Sequence, residues 1–563
     1  GGIYAAVSAP LTFSEGVHTV RYRALDRVGN VEAARELLLR SDATPPASEL
    51  AIGVPSFQLS STTVLVSSMT PLSIAAQDPT VNGVASGVSE TFYRVFGVSP
   101  STATFQVFTA SFSLSGADTT SFIEFYSRDQ VLNTQPVRSR TLLLDSMRPQ
   151  ALIDSPHGGQ GICSVVKGII PVRGTARDMH FAGYLIESAA GRDAVAGFVL
   201  ANSGTAAVDT GLLGSWDARA LSGWQTLRLT VMDQVGNAAV ATLSVYVGDP
   251  GRLLVLGNHE IFNMPQGVAV DADGRIYVAD TNDDQIQVFS ATGTALASFG
   301  RGHGLDKDKD AGLRLNKPKG VAVDAAGAIF VADTHNDRVL KLSATGQVLI
   351  EVGRRKPGKG PGEFRKPSGV AVDGAGNIFV ADTDNNRVQK LGPDGAPLLA
   401  FDLPPASGDG EDDDRDCERP ELGRPAGIAL DSAGNIYVAD PRGARALKFS
   451  PAGRLLMTLP IHSVSEEGRS KPGRPEGIAV SPDGGCVLVS DRKTSRVIKF
   501  DAAGVQTLAF GEPGKIKDNK PLPKRLVLRK PAGLALDAGG RLYVADRNND
   551  RVQVFGLATG APA

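Results

Sequence analysis

The stretch "PSGVAVDGAGNIFVADTDNNRVQKL", residues 367–391, alternates brief apolar runs with turn residues, and close relatives of it recur five times. "GVAVD" is short and β-branched, "GAGN" is a turn, "IFVAD" is apolar again, "TDNN" is polar and "RVQKL" alternates. That is the pattern of three strands joined by tight turns. The other copies start at Pro265, Pro318, Pro425, Pro475 and Pro531, so successive starts lie 53, 49, 58, 50 and 56 residues apart. A fourth apolar run follows in several copies, as in "GQVLIEVG" (346–353) and "GVQTLAFG" (504–511). Four antiparallel strands repeated radially predict a β-propeller. The last copy runs out at "FGLATGAPA" without a fourth strand, and "GRLLVLGN" (251–258) precedes the first copy. Residues 253–256 are therefore expected to complete the last sheet and close the ring, which removes exposed sheet edges.

The upstream part carries a weaker repeat. "VRYRALDRVGN" (20–30), "IEFYSRDQVLN" (123–133) and "LRLTVMDQVGN" (227–237) each join an alternating strand to an Asp-x-Val-x-Asn turn. Their Asp26, Asp129 and Asp233 lie 103 and 104 residues apart. A period near 100 with many short strands suits immunoglobulin-like β-sandwiches. "SDATPPASEL" (41–50) and "LDSMRP" (144–149) have linker composition. The predicted organisation is a partial module at 1–44, sandwiches at 45–147 and 148–248, and the propeller at 249–563.

Composition narrows the function classes. A formal net charge of -2 argues against a globally basic nucleic-acid binder. No run approaches the roughly 20 apolar residues of a membrane-spanning helix. The chain lacks an initiator Met and a signal-peptide pattern, and Gly1 is read as an internal cut through a longer protein. Cys163, Cys417 and Cys486 are far apart and predict no metal spacing or disulfide framework; Cys486, in a strand, is expected to be a small core residue, and Cys417 an exposed loop residue.

The six "P-x-G-[VIL]-A-[VL]…G-x-[IL]-[YF]-V-A-D…R-V" segments resemble NHL repeats, over roughly residues 249–563. The fifth copy, "SPDGGCVLVSD", departs by one added residue and a Ser at the inner Asp position. The upstream modules are similar to the tandem Ig-like domains of bacterial secreted and surface proteins. The resemblance implies an all-β protein with a six-bladed propeller, used in that family mostly to bind proteins, RNA or other polymers. Some members are enzymes, such as the peptidyl-amidoglycolate lyases, and gluconolactonase-type propellers are more distant cousins.

Asp280, Asp333, Asp382, Asp440, Asp491 and Asp546 all end the second strand, and Arg338, Arg387, Arg445, Arg496 and Arg551 follow five positions on; Gln285 is the exception. One chemical site does not need five such pairs. They are read as turn-closing carboxylates that accept backbone N–H groups and face an Arg across the hairpin. Function is expected where copies differ. The turns carrying Arg442, Arg492, Lys493 and Arg547 share a face with the long connections. Basic connections supply Arg354, Arg355, Lys515, Lys517, Lys524, Arg525, Arg529 and Lys530, whereas residues 409–421 are acidic. Same-sign charges around a concavity focus potential, so this face is the first binding candidate. It has no aromatic ladder for single-stranded nucleic acid, which makes nucleic acid an unfavoured partner.

The second candidate is the channel mouth, where the x of each P-x-G is Gln266, Lys319, Ser368, Ala426, Glu476 or Ala532. Lys319 and Glu476 fall three copies apart, on opposite sides of the axis. Enzyme signals are thin: His259, His303, His335 and His462 occupy different places in their repeats and predict no zinc site. No cofactor is called for. Asp306, Asp308 and Asp310 are spaced as in a calcium loop, without its central Gly and with Lys317 at its terminal Glu position, so Ca2+ is a weak candidate. The reading is a non-enzymatic extracellular or cell-envelope binding protein, its propeller a recognition head for a protein or polysaccharide at the cell surface and its Ig-like modules a stalk. The alternatives are a metal-dependent lyase or lactonase acting in the channel, and a purely structural spacer.

Overall fold

The computed structural model describes residues 4–97, 103–156, 165–300, 313–354, 356–406, 422–464, 470–517, 523 and 525–557. Each of the first five "PxG" copies folds into a four-stranded antiparallel sheet in sequence order. The first comprises Gly267–Val270, Ile276–Asp280, Gln285–Phe289 and Ala295–Gly300. Short β-branched runs form the strands, and the turn between the first two is set by a recurring Asp and Gly. In the third sheet Asp373 Oδ1 accepts the N–H groups of Ala375 and Asn377 at 3.0 and 2.8 Å, and Gly376 takes φ 82°, which a side chain disfavours. The fifth copy keeps this turn despite its added residue, because Ser481 and Asp483 share the role: Ser481 Oγ accepts Cys486 N–H and Asp483 Oδ1 accepts Gly485 N–H.

The sixth sheet contains Leu534–Leu536, Arg541–Asp546 and Arg551–Gly556, and Gly251–Leu256 supplies its outer strand. The pairing has a bulge: Arg252 faces Phe555 and Leu254 faces Val554, so Leu253 lies outside the register.

Six apolar cores lie between successive sheets. Ile286 and Val288 of the first pack with Ile329 and Val331 of the second, and the sequence continues around to Tyr543 and Val552 of the sixth, which pack with Val268 and Ile276 of the first. The inner strands touch in the same cyclic order, and the sixth touches the first. The glycine of each P-x-G explains how closely. A Cβ on Gly267 would lie 2.4 Å from the carbonyl oxygen of Lys319, one on Gly477 2.1 Å from that of Ala532, and one on Gly533 2.3 Å from that of Gln266. Each glycine thus makes room for the next copy's x carbonyl.

The upstream chain is also all-β. Strands Gly16–Tyr22 and Arg35–Ser41 pair as a hairpin. A six-stranded and a two-stranded sheet follow, sharing one core that includes Leu50, Leu72, Phe125 and Leu142. Next, a three-stranded sheet packs on a five-stranded one around Trp216, Val172, Leu229 and Val245. The Asp-x-Val-x-Asn turns are scaffold here. In each, Asp Oδ1 accepts two backbone N–H groups and Oδ2 accepts the Asn amide at 2.7 Å. Asn133 and Asn237 also donate to the linker carbonyls of Asp42 and Asp145, clasping the entry to each sandwich.

Cys486 is a buried core residue, as expected. It is also disulfide-bonded, which corrects the expectation that the cysteines form no disulfide. Cys163 and Cys417 lie outside the described residues, as do Arg355, Lys524, the acidic run 409–421 and the calcium-loop candidates Asp306, Asp308 and Asp310.

Candidate functional site

The aspartates that close the second strands staple the ring. Oδ1 of Asp280, Asp333, Asp382, Asp440, Asp491 and Asp546 accepts a backbone N–H from the connection entering its own sheet, at 2.6–2.8 Å. In three copies Oδ2 accepts the arginine Nε across the hairpin: Arg338 and Arg387 at 2.8 Å and Arg445 at 2.9 Å. The other copies differ. Gln285 and Gln287 serve Asp280, Thr494 serves Asp491, and Arg551 Nε turns instead to the carbonyl of Asn549. The arginine Nε bond to the carboxylate is seen in these three sheets, while the backbone staple is common to all six.

The same bonds put the second-to-third strand turns against the connections: the N–H groups of His335, Asp384, Arg492 and Asn548 donate to the carbonyls of Asn316, Arg365, Arg474 and Arg529. Two concavities result. The first is the axial channel, a cavity of about 80 Å³ lined by the P-x-G segments of all six copies. The sequence candidates Gln266, Lys319, Ser368 and Glu476 do meet there. Ser368 Oγ bonds to Thr383 and to the carbonyl of Ala426, so it is engaged in the wall. Glu476 pairs with Arg492 at 3.5 Å. Burial pushes the Lys319 amine below its ordinary pKa; Glu476 opposes the shift, and Arg547 and Arg424 add to it. Burial likewise lowers Arg547, reinforced by Arg492. His335 is lowered by burial and then by Lys319, Lys366 and Lys317. The channel mouth is therefore a region of positive potential in which Glu476 is the counter-charge.

The second concavity is larger, about 500 Å³, and opens on the connection face. Arg365 and Lys366 enter from the third sheet's connection, Arg424 from the fourth's, and Arg442 from the fourth sheet's turn. Asp337, Asp384 and Asn386 join them, with Pro357 at one side. Asp384 bridges two of the cations, with Arg424 Nη2 at 2.6 Å and Lys366 Nζ at 3.2 Å. Burial opposes its ionisation, but Arg424 and then Lys366 outweigh it and hold the carboxyl below its ordinary value. Asp337 Oδ1 accepts the backbone N–H of Lys366. The Arg365 guanidinium is exposed and makes no hydrogen bond or ion pair among the described residues.

Of the binding-face candidates named from sequence, Arg442 lies in this larger cavity among the described residues. Arg365 and Lys366 end the basic connection 354–366, of which Arg354 and Arg355 were the named candidates, and Arg424 stands outside the basic runs. The signal for Lys366 and Arg424 was the cation immediately before Pro, in "FRKP" and "LGRP". The remaining basic candidates spread over the face. Lys493, Lys515 and Lys517 are exposed, as is Arg354. Arg525 pairs with Glu512 at 3.4 Å, and Arg529 reaches the carbonyl of Asn548. Lys530 is held by its backbone N–H on Ser495 Oγ. Among the described residues, groups of His and Asp close enough to share a metal ion occur in the upstream modules: Asp42, Asp78 and Asp129, and Asp145, Asp178 and His180. In the second group His180 Nδ1 lies 2.7 Å from Asp145.

The match to a family model agrees with the repeat reading. The NHL repeat family matches residues 262–289, 315–342, 364–391 and 528–555, four of the six copies. Peptidyl-glycine alpha-amidating monooxygenase of Mus musculus is 30% identical over 135 residues, 23% of this chain and 13% of that protein. A probable peptidyl-alpha-hydroxyglycine alpha-amidating lyase of Caenorhabditis elegans is 32% identical over 106 residues, 18% of this chain and 29% of that protein. The chain thus spans under a third of the length of these curated relatives. Among solved structures, a gluconolactonase from Xanthomonas campestris aligns with TM-score 0.38 at 18% identity, covering 55% of this chain and 95% of that one. A streptogramin B lyase aligns with TM-score 0.36 at 16% identity, covering 52% and 93%. The chain carries NHL repeats and is a β-propeller protein with an all-β upstream region.

Proposed function

We propose that this chain is a non-enzymatic binding protein of the cell exterior. In this reading residues 249–563 are a six-bladed NHL-type recognition head. Residues 45–147 and 148–248, with the partial module 1–44, are an Ig-like stalk. The partner is a protein or polysaccharide of the cell surface, and no cofactor is required. The observation that carries the reading is the cavity at Arg365, Lys366, Arg424 and Arg442, because separate segments deliver its cations to one concavity on the connection face. Four side chains brought together from three places focus potential in a way that scattered surface charges do not. The bonded Cys486 supports an oxidising compartment, where disulfides persist.

The test uses the full chain as bait on envelope and secreted fractions of the producing organism. One variant carries Arg365→Ser and Arg442→Ser; a second carries Lys493→Ser, Lys515→Ser and Lys517→Ser. A partner retained by the wild type and lost from either folded variant supports the binding head and locates its surface. Equal capture by all three removes the connection face from consideration.

A second reading, an enzyme acting in the channel, is favoured by the similarity to amidating lyases. It predicts turnover of a peptidyl-alpha-hydroxyglycine by the full chain when a divalent metal is added. No turnover above the blank rules that reading out.

A further inference from the structure

We propose that the 500 Å³ cavity on the connection face takes a carboxylate-bearing sugar, one unit of an acidic polysaccharide. This rests on the reading of the propeller as a binding head and names the ligand class for its face. Three observations select that chemistry. The first is charge. Among the described lining residues four cations face two carboxylates, leaving two positive charges in excess, and the carboxylates are already engaged by Arg424 and the Lys366 side chain and backbone. An anion is therefore the ligand whose charge best complements this concavity.

The second observation is which groups are available. Arg365 offers a guanidinium with no partner among the described residues, able to hold a carboxylate by two parallel N–H bonds. Asp384 pins Arg424 and Lys366 in place, so their remaining N–H groups are pre-organised around the same space. Asn386 lines the cavity with a side-chain amide that makes no hydrogen bond among the described residues, and Asp337 keeps a carboxylate oxygen free of its bond to Lys366. An acceptor and an amide beside a cation cluster suit neighbouring hydroxyls on a ring that also bears a carboxylate.

The third is what the lining lacks. Among the described lining residues Pro357 is the apolar contribution, and no aromatic ring offers a stacking platform for a base. A volume near 500 Å³ falls in the range of small-molecule pockets and suits a sugar unit with its hydration. The site lies on the face where the connections emerge, so a polymer can run past it while one unit dips in.

The experiment is calorimetric titration of the full chain, at physiological ionic strength, with short polygalacturonate oligomers. Dextran oligomers serve as the neutral control, heparin-derived oligomers as the sulfated arm and oligoglutamate as the peptide arm. The variants are Arg365→Gln and Arg365→Lys; neither touches the backbone N–H that donates to Asp382. The expected result is binding of the uronate oligomer, weakened at least tenfold by Arg365→Gln and partly restored by Arg365→Lys, with unchanged melting temperatures. Equal binding of dextran, preference for oligoglutamate or for the sulfated oligomer, or no effect of Arg365→Gln overturns the proposal. If uronate fails to bind while an envelope partner is still lost from the variant carrying Arg365→Ser and Arg442→Ser, only the ligand class is wrong. If neither depends on Arg365, the binding-head reading at this cavity fails with it.

Discussion

Asp280 is a turn-closing carboxylate with no exposed surface, and burial pushes its pKa up to about 6 against the bonds from Asn263 N–H and Gln285 that favour the charged form. Asp546, in the last sheet, is raised to about 6 for the same first reason. In the unfolded chain such a group titrates near 3.8. Between pH 4 and 6 the folded state therefore holds a proton that the unfolded state has released, and this residue's contribution to stability falls as pH rises through that window. Replacing Asp280 by Asn removes the titration. The wild type should gain about 2 kcal/mol relative to Asp280→Asn between pH 7 and pH 4.5, read from denaturant unfolding at the two pH values. An equal gap at both would show that the carboxylate is hydrated in the folded state.

At the scale of the strand, the P-x-G glycines decide how tightly the ring closes. An added methyl at Gly477 meets the Ala532 carbonyl oxygen at 2.1 Å, and its nearest neighbours are all backbone atoms of Ala532 and Gly533, with no flexible side chain to move aside. Gly477→Ala should cost about 1–3 kcal/mol, as overpacking does in well-packed interiors. Gly374, in an exposed turn with nothing within 4 Å of its added Cβ, is the matched control. Gly374→Ala should leave the melting temperature close to the wild type. A similar small effect at both positions would mean that the inner strands slide apart easily.

Across the whole molecule, the upstream region and the propeller are joined at the fifth sheet. Val165 belongs to the same apolar core as Leu488, Val497 and Leu508. Lys499, fully enclosed there, donates through Nζ to the carbonyl of Val165 at 2.8 Å, and Ser155 donates to Asp501. Burial pushes the Lys499 amine down to about 7, with Asp501 resisting the shift. The unfolded amine titrates near 10.5, so between pH 7 and 10 the unfolded state binds the extra proton and stability rises with pH. From pH 7.5 to 9 the wild type should gain about 2 kcal/mol relative to Lys499→Met. A gap independent of pH would place the amine in contact with water.

Period-2 runs, Asx turns and glycines at fixed offsets made the repeated sheets legible in the sequence, because each rests on contacts within a few residues. The closing strand could also be inferred, since a ring one strand short leaves one unmatched run at the other end. The upstream turns were legible as a repeat but not as clasps: the bonds from Asn133 and Asn237 reach linkers about 90 residues away. The site was read only in part. Charge on the connection face followed from composition, and convergence of the P-x-G segments followed from the repeat. The gathering of Arg365, Lys366, Arg424 and Arg442 did not, because it depends on how neighbouring sheets are angled and how each connection returns. The burial of Lys499 was hidden for the same reason. Local sequence specifies the repeated unit, whereas electrostatic sites and junctions arise between units, where only tertiary packing sets distance and solvent exclusion.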